Sequence, residues 1–250
     1  HGTTALERNT LAGDFDLPPA FWPGKPSGLH CLDRVVEDVW REGYSHHITR
    51  LMVLGNLATL LGVVPEQLSH WFWSAYVDAY DWVVEPNVLA MGTFATGDVM
   101  TTKPYVSGAA YVHRMSDACD DCRFDPTARD PQRACPLPPM YWDFLSRSRA
   151  QLATNERMKL PLASEARRTE AQRQHQRAVT ERVRAALAQG AVVPVDVASV
   201  RPSEGGPATP RQGSLLPELP SATNSGTPTG SPRAVSMTAR ATVANRKRRP

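Results

Sequence analysis

All 18 aromatic residues of this 250-residue chain lie between Phe15 and Phe144, and the 106 residues that follow contain none. Aromatic side chains supply much of the area buried in a close-packed core. The first three fifths of the chain are therefore expected to hold that core. Residues 201–250 have the opposite character: eight Pro, five Gly, six Ser and six Thr make up half of them, with eight basic and two acidic residues. Such a composition buries too little apolar surface to offset chain entropy, so a disordered tail is expected there. The formal charge of +3 accordingly divides into about −3 for residues 1–200 and about +6 for the tail.

No run approaches the 18 or more uncharged apolar residues of a membrane span; the longest candidate, Leu51 to Val64, is interrupted by Gly55, Asn56 and Gly62. The opening HGTTALERNTLAGDF has neither the basic nor the apolar region of a signal peptide. A cytoplasmic monomer without membrane contact is expected, and a start at His1 is read as internal to a longer protein. In that setting four cysteines point to metal ligands or free thiols before a disulfide framework.

Four regions are expected. Residues 1–30, with LPPAFWPGKPSG, read as an irregular covering segment, because clustered proline and glycine rule out a long helix. Residues 31–150 read as a helical domain. In CLDRVVEDVWREG the apolar residues Leu32, Val35, Val36 and Val39 follow helical spacing, and Gly43 suits the helix end. A second helix is expected from about His47 to Leu61, and Pro65 can open a third through PEQLSHWFWSAYVDAYDWVV. As one helix, that segment would put Trp73, Tyr76 and Tyr80 on one face and Trp71, Asp78 and Trp82 on another. Core packing on two sides and a cofactor or substrate wall both account for it. Shorter helices are expected over about 104–115 and 139–150, with an aperiodic loop over 117–136. Residues 151–190 carry a charged helix, predicted over 163–190 and ending at Gly190, and 191–250 form the tail. With no sustained strand alternation the class is all-α.

The cysteines are Cys31, Cys119, Cys122 and Cys135, the last followed by proline. A Cys-x-x-Cys pair brings two thiolates to one centre, a loop lets Cys135 return as a third ligand, and Cys31 at a helix start would be the fourth. Spacing leaves zinc and an iron–sulfur cluster both open, while the long first interval and the closing Cys-Pro lean mildly to the cluster.

The segments YSHHITRLMVLGN, WFWSAYVDAYDWV with PN after it, KPYVSGAAYVHRMSDACDDCR and RACPLPPMYWDFLSR together resemble the iron–sulfur bacterial photolyases and cryptochromes, a family that includes bacterial (6-4) photolyases. The resemblance covers about residues 15–190. It implies the C-terminal portion of a helical FAD-binding domain, a 4Fe–4S cluster on Cys31, Cys119, Cys122 and Cys135, and UV-damaged DNA as partner. The antenna chromophore would belong to an N-terminal domain upstream of His1. By resemblance, His47 is the general acid at a flipped lesion and His46 its neighbour, imidazole being able to donate and accept near neutral pH. Without the resemblance, a surface or capping histidine pair is the simpler account. Asp78 would accept hydrogen bonds from the flavin side chain, Asn87 and Tyr105 would line the flavin or lesion pocket, and Trp71 and Phe72 occupy the redox-aromatic positions.

Two departures from the family pattern stand out. Phe72 stands where related sequences often carry an oxidisable tyrosine. WVVEPN replaces the common WVELPN, so the position expected to face flavin N5 is Val84, with Glu85 one place on and turned by about 100° on a helix. The expected function is light-dependent repair by a carbon–carbon lyase of the (6-4) photolyase type. The fragment is expected to bind FAD weakly or not at all by itself. The alternatives are a cryptochrome-like photoreceptor, or a structural iron–sulfur or zinc module without photochemistry. Arg147, Arg149, Arg157 and Lys159 offer a phosphate-binding patch, though a solvated helix face accounts for them as well. The RKRR at 246–249 would add weak nonspecific attraction.

Overall fold

A computed structural model describes residues 6–128 and 130–199, and the remainder of the expected tail, 200–250, lies outside the described residues. Within them the chain is helical with no strand, only the isolated bridges Phe15 to Val63 and Asp125 to Ala134, as the all-α expectation requires.

Helix α1 (His30–Glu42) buries Leu32, Val35, Val36 and Val39, the stripe read from the sequence, and stops at Gly43 with φ 63°. That left-handed conformation is cheap only for glycine. At the other end the Asp33 carboxylate accepts from the Ser27 and Gly28 backbone N–H groups, fixing the entry from the covering segment. The expected second helix is present but not uniform. It begins as α2 (His47–Thr49), widens into a π-helical stretch over Arg50–Gly55, and returns to α-geometry as α3 (Asn56–Leu61) before Gly62.

The aromatic segment departs from expectation. Helix α4 (Pro65–Ala75) ends at Tyr76, which is extended, and Val77 N–H donates to Gly43 O instead of continuing the helix. The chain restarts as α5 (Asp81–Val84) and widens into a second π-helical stretch over Glu85–Gly92. Trp73, Tyr76 and Tyr80 therefore do not share one helical face, and Asp78 sits in a turn. Pro86, which has no N–H to donate, falls at the start of the π-helical stretch. The two π-helical stretches pack on each other, and the ideal Cβ position of Gly55 lies 3.5 Å from Gly92 Cα, so small residues permit the approach.

Helix α6 (Ala109–Met115) follows a loop held by Asn56, whose Oδ1 accepts from Ser107 N–H and whose Nδ2 donates to Ser107 O. Turns occupy most of 117–136, as predicted. Then come α7 (Leu137–Arg147), α8 (Arg149–Leu152), α9 (Lys159–Ala166) and α10 (Glu170–Ala188). The charged helix predicted over 163–190 is thus two helices, because Thr169 opens α10 with a reciprocal capping box with Gln172.

Core packing does not stop with the last aromatic residue. Val179, Val183 and Leu187 of α10 are fully buried and α10 packs on α7. Residues 191–199, which composition assigns to the tail, follow the body: Val193 and Val197 are buried and Val193 N–H donates to Ser27 O. Aliphatic side chains extend the core where aromatic ones are absent.

Candidate functional site

A cavity of about 230 Å³ opens between the two π-helical stretches and the turn that follows α4. His47, Phe72, Asp78, Val84 and Asn87 line it, so five of the nine non-cysteine candidates, spread over 41 positions of sequence, meet at one place. π-Helical widening is frequently found at functional sites, because the extra residue per turn redirects side chains. Here it turns Arg50 and Leu51 on one side and Asn87 and Val88 on the other toward the same space.

The charged centre of the cavity is Arg50 with Asp78. The guanidinium donates through Nη1 and Nη2 to the two carboxylate oxygens, both at 2.9 Å, a bidentate pair. Its Nε donates to Ser45 O at 2.8 Å, and the Tyr76 and Tyr44 rings lie 4.1 and 5.0 Å from the guanidinium carbon. Arg50 is thus held from four directions and in turn holds Asp78. Tyr76 Oη shares a hydrogen bond with Ser45 Oγ at 2.8 Å, and burial pushes the Tyr76 phenol up to about 12, so it stays protonated at physiological pH. Sequence reasoning missed Arg50 and Tyr44 altogether and missed the part Tyr76 plays beside them. An arginine 28 positions before an aspartate carries no periodic signal.

His47 stands exposed at the mouth, while His46 has a local structural role, capping α2 with its Nδ1, which accepts from Ile48 N–H. Asn87 lines the wall with its Nδ2 tied to Val83 O at 2.7 Å. Val84 faces the cavity and is buried, whereas Glu85 and Tyr105 are not among its lining residues. The π-helical geometry does not re-aim Glu85 into the cavity. Trp71 lies behind the wall in the core, its Nε1 donating to Phe21 O, with ring centroids of Phe72, Phe21, Tyr76 and Trp40 at 5.2, 5.3, 5.9 and 6.5 Å. Phe72 stacks on Tyr76 at 4.9 Å, so phenylalanine is joined to an oxidisable phenol after all, four residues on.

The four cysteines are unpaired thiols, each half-buried. Cys119 and Cys122 lie close enough to Cys31 and Cys135 to bear on the ionisation of both, which places all four in one neighbourhood. Burial first, then the neighbouring cysteines, push the Cys31 thiol up to about 12 and raise Cys135 and Cys119 as well. Thiols so buried stay protonated and neutral near physiological pH. Among the described residues, no group of three or more His, Cys, Asp or Glu is placed to hold a metal ion.

Three of the four basic residues named over 147–159 already have protein partners. Arg147 Nη2 donates to Thr59 O and Leu60 O, Arg149 binds Glu165, and Lys159 pairs with Glu156.

No protein-family profile matches the chain. It is 42% identical over 169 residues to a (6-4) photolyase of Agrobacterium fabrum, a match covering 68% of this chain and 33% of that protein. The chain therefore spans about a third of the length of that relative. An uncharacterized protein of Acanthamoeba polyphaga mimivirus is 39% identical over 70 residues, 28% of this chain and 57% of the viral one.

Proposed function

We propose, from the premise that this chain is part of a bacterial photolyase-family protein, that it builds one wall of a flavin and lesion site for light-dependent DNA repair. The observation that carries the reading is the convergence of His47, Phe72, Asp78, Val84 and Asn87 on one cavity. FAD, when bound, would supply light-driven electron donation to a damaged pyrimidine pair. The cavity's apolar floor with a few polar groups suits a flat heteroaromatic ring. Its 230 Å³ accommodates only part of such a cofactor, as expected of a chain matching a third of its relative.

Within that reading the chain's own residues divide the work. Asp78, oriented by Arg50, accepts from ligand hydroxyls through the lone pairs that Arg50 leaves free. Val84 presents a hydrocarbon surface where the family resemblance implies a carboxylate, so the chain offers no acidic proton at that point. His47, free at the mouth, is the proton donor to a flipped base, and His46 supports it from the helix cap. Trp71 relays charge between the cavity aromatics and Trp40, with Phe72 acting as spacer and Tyr76 as the oxidisable neighbour. Cys31, Cys119, Cys122 and Cys135 would together hold a 4Fe–4S cluster, a reading supported by the family resemblance of their spacing and by their common neighbourhood.

Two measurements test this. In a photolyase-length protein carrying this sequence, Asp78→Ala is expected to weaken FAD roughly tenfold or more, the loss of hydrogen bonds to a charged acceptor. Equal flavin affinity in both forms removes Asp78 from the site. Anaerobic purification is expected to yield about four irons with matching sulfide per chain. One zinc without sulfide would replace the cluster by a structural zinc.

A further inference from the structure

A second cavity, of about 190 Å³, is bordered by Thr59 and Thr93 and lined by a different set of charges from the first. Arg147 and Arg184 both line it, and Asp14 is the one carboxylate of its lining. Each guanidinium is held in place before any ligand arrives. Arg147 donates through Nη2 to Thr59 O at 2.9 Å and Leu60 O at 2.6 Å, the carbonyls at the end of α3. Among the described residues no acceptor meets its Nε or Nη1, and no carboxylate lies within ion-pair distance. Arg184 is fixed by Asp14 Oδ1 at 2.7 Å and by the Phe15 ring, 4.7 Å from its guanidinium carbon, and Asp14 itself is largely exposed. Ser148 and Gln151 add uncharged polar groups to the same lining.

Two oriented guanidinium forks facing one concavity, with free N–H groups and a single screened carboxylate, are matched by a planar or tetrahedral oxyanion. We infer that this cavity is an anion site that takes a phosphate group, held by Arg147 Nε and Nη1 on one side and Arg184 on the other. The site is independent of the flavin cavity and shares none of its lining residues. The same chemistry occurs in free phosphate and in the phosphodiester of a nucleic acid.

The test uses the 250-residue chain, titrated with inorganic phosphate at ionic strength held constant with chloride. Phosphorus NMR line width and the thermal midpoint are the readouts. A saturable broadening and a saturable rise in midpoint are expected. Arg184→Gln should weaken both by about tenfold or more, the loss of a charge-assisted contact, and Asp14→Asn should strengthen them by removing the competing carboxylate. Arg147→Gln also removes the bonds to Thr59 and Leu60, so the two other variants carry the test. Competition by a short DNA duplex would identify a backbone phosphodiester as the source, and binding without competition would identify free phosphate. No effect beyond chloride, or the same effect in Arg184→Gln, overturns the site.

Discussion

Replacing His47 by alanine in a photolyase-length protein carrying this sequence is expected to lower light-driven repair of a (6-4) lesion by about 10²–10⁴-fold, the range for removal of a positioned general acid. The argument for His47 over its neighbour is geometric. His47 lines the cavity mouth and, among the described residues, no hydrogen bond occupies its ring, so both nitrogens can serve a substrate. His46 points its Nδ1 at Ile48 N–H, which fixes that nitrogen as an acceptor while the cap is made. A proton parked on Nδ1 would break the cap of α2, so His46 acts through the backbone that carries His47. His46→Ala is therefore expected to cost far less repair, through a loosened α2 start. Flavin content and lesion-DNA affinity separate the two roles, since both should stay native in His47→Ala. Repair within a factor of two of native in His47→Ala would leave the cavity without its proton donor.

The parts of this arrangement that periodicity encodes were legible in the sequence. The stripe of Leu32, Val35, Val36 and Val39 predicts α1 and its buried face, and Gly43 its end. The family resemblance led to five of the residues that share the cavity. Pairings that are neither local nor periodic were not legible. Arg50 reaches Asp78 because a π-helical stretch redirects it and because α4 stops at Ala75, and neither event follows from helix propensity in an aromatic-rich segment. The break also explains why one-helix face assignments for Trp73, Tyr76 and Tyr80 do not hold. Val77 N–H finds Gly43 O, a tertiary hydrogen bond that replaces the helical one. Composition erred in a different way over 191–199, where a few valines decide burial although the surrounding residues resemble a tail. Aromatic content marked the site well, and it underestimated how far the aliphatic core runs.

Glu165→Ala should destabilise the body by roughly 3 kcal/mol, about two lost hydrogen bonds to charged groups at 1.5 kcal/mol each. Glu165 is 1% exposed and sits in α9 between two arginines from other helices: Arg149 of α8 and Arg173 of α10, the latter at 2.7 Å. One carboxylate therefore joins three helices around α7, the element that α10 covers. Removing it leaves two arginines that are partly exposed and can rehydrate, which keeps the cost at the low end for a broken buried pair. Burial alone would raise the Glu165 pKa, but hydrogen bonds and charge from Arg173 and Arg149 outweigh it and hold the carboxyl below its usual range. The sign of the pH effect follows. Because the folded value is depressed, Glu165 contributes its full stability above the unfolded value of about 4.3. That contribution falls away as pH drops below it and through the folded value. Urea midpoints should thus be level from neutral pH to about 5 for this group and decline below about 4. Glu165→Gln should lose stability at neutral pH and lack that part of the acid decline. A native-like midpoint in Glu165→Gln at neutral pH would mean that packing, not charge, joins these helices. Neither variant touches the residues lining the first cavity, so on the proposed reading flavin affinity at neutral pH should follow only the folded fraction.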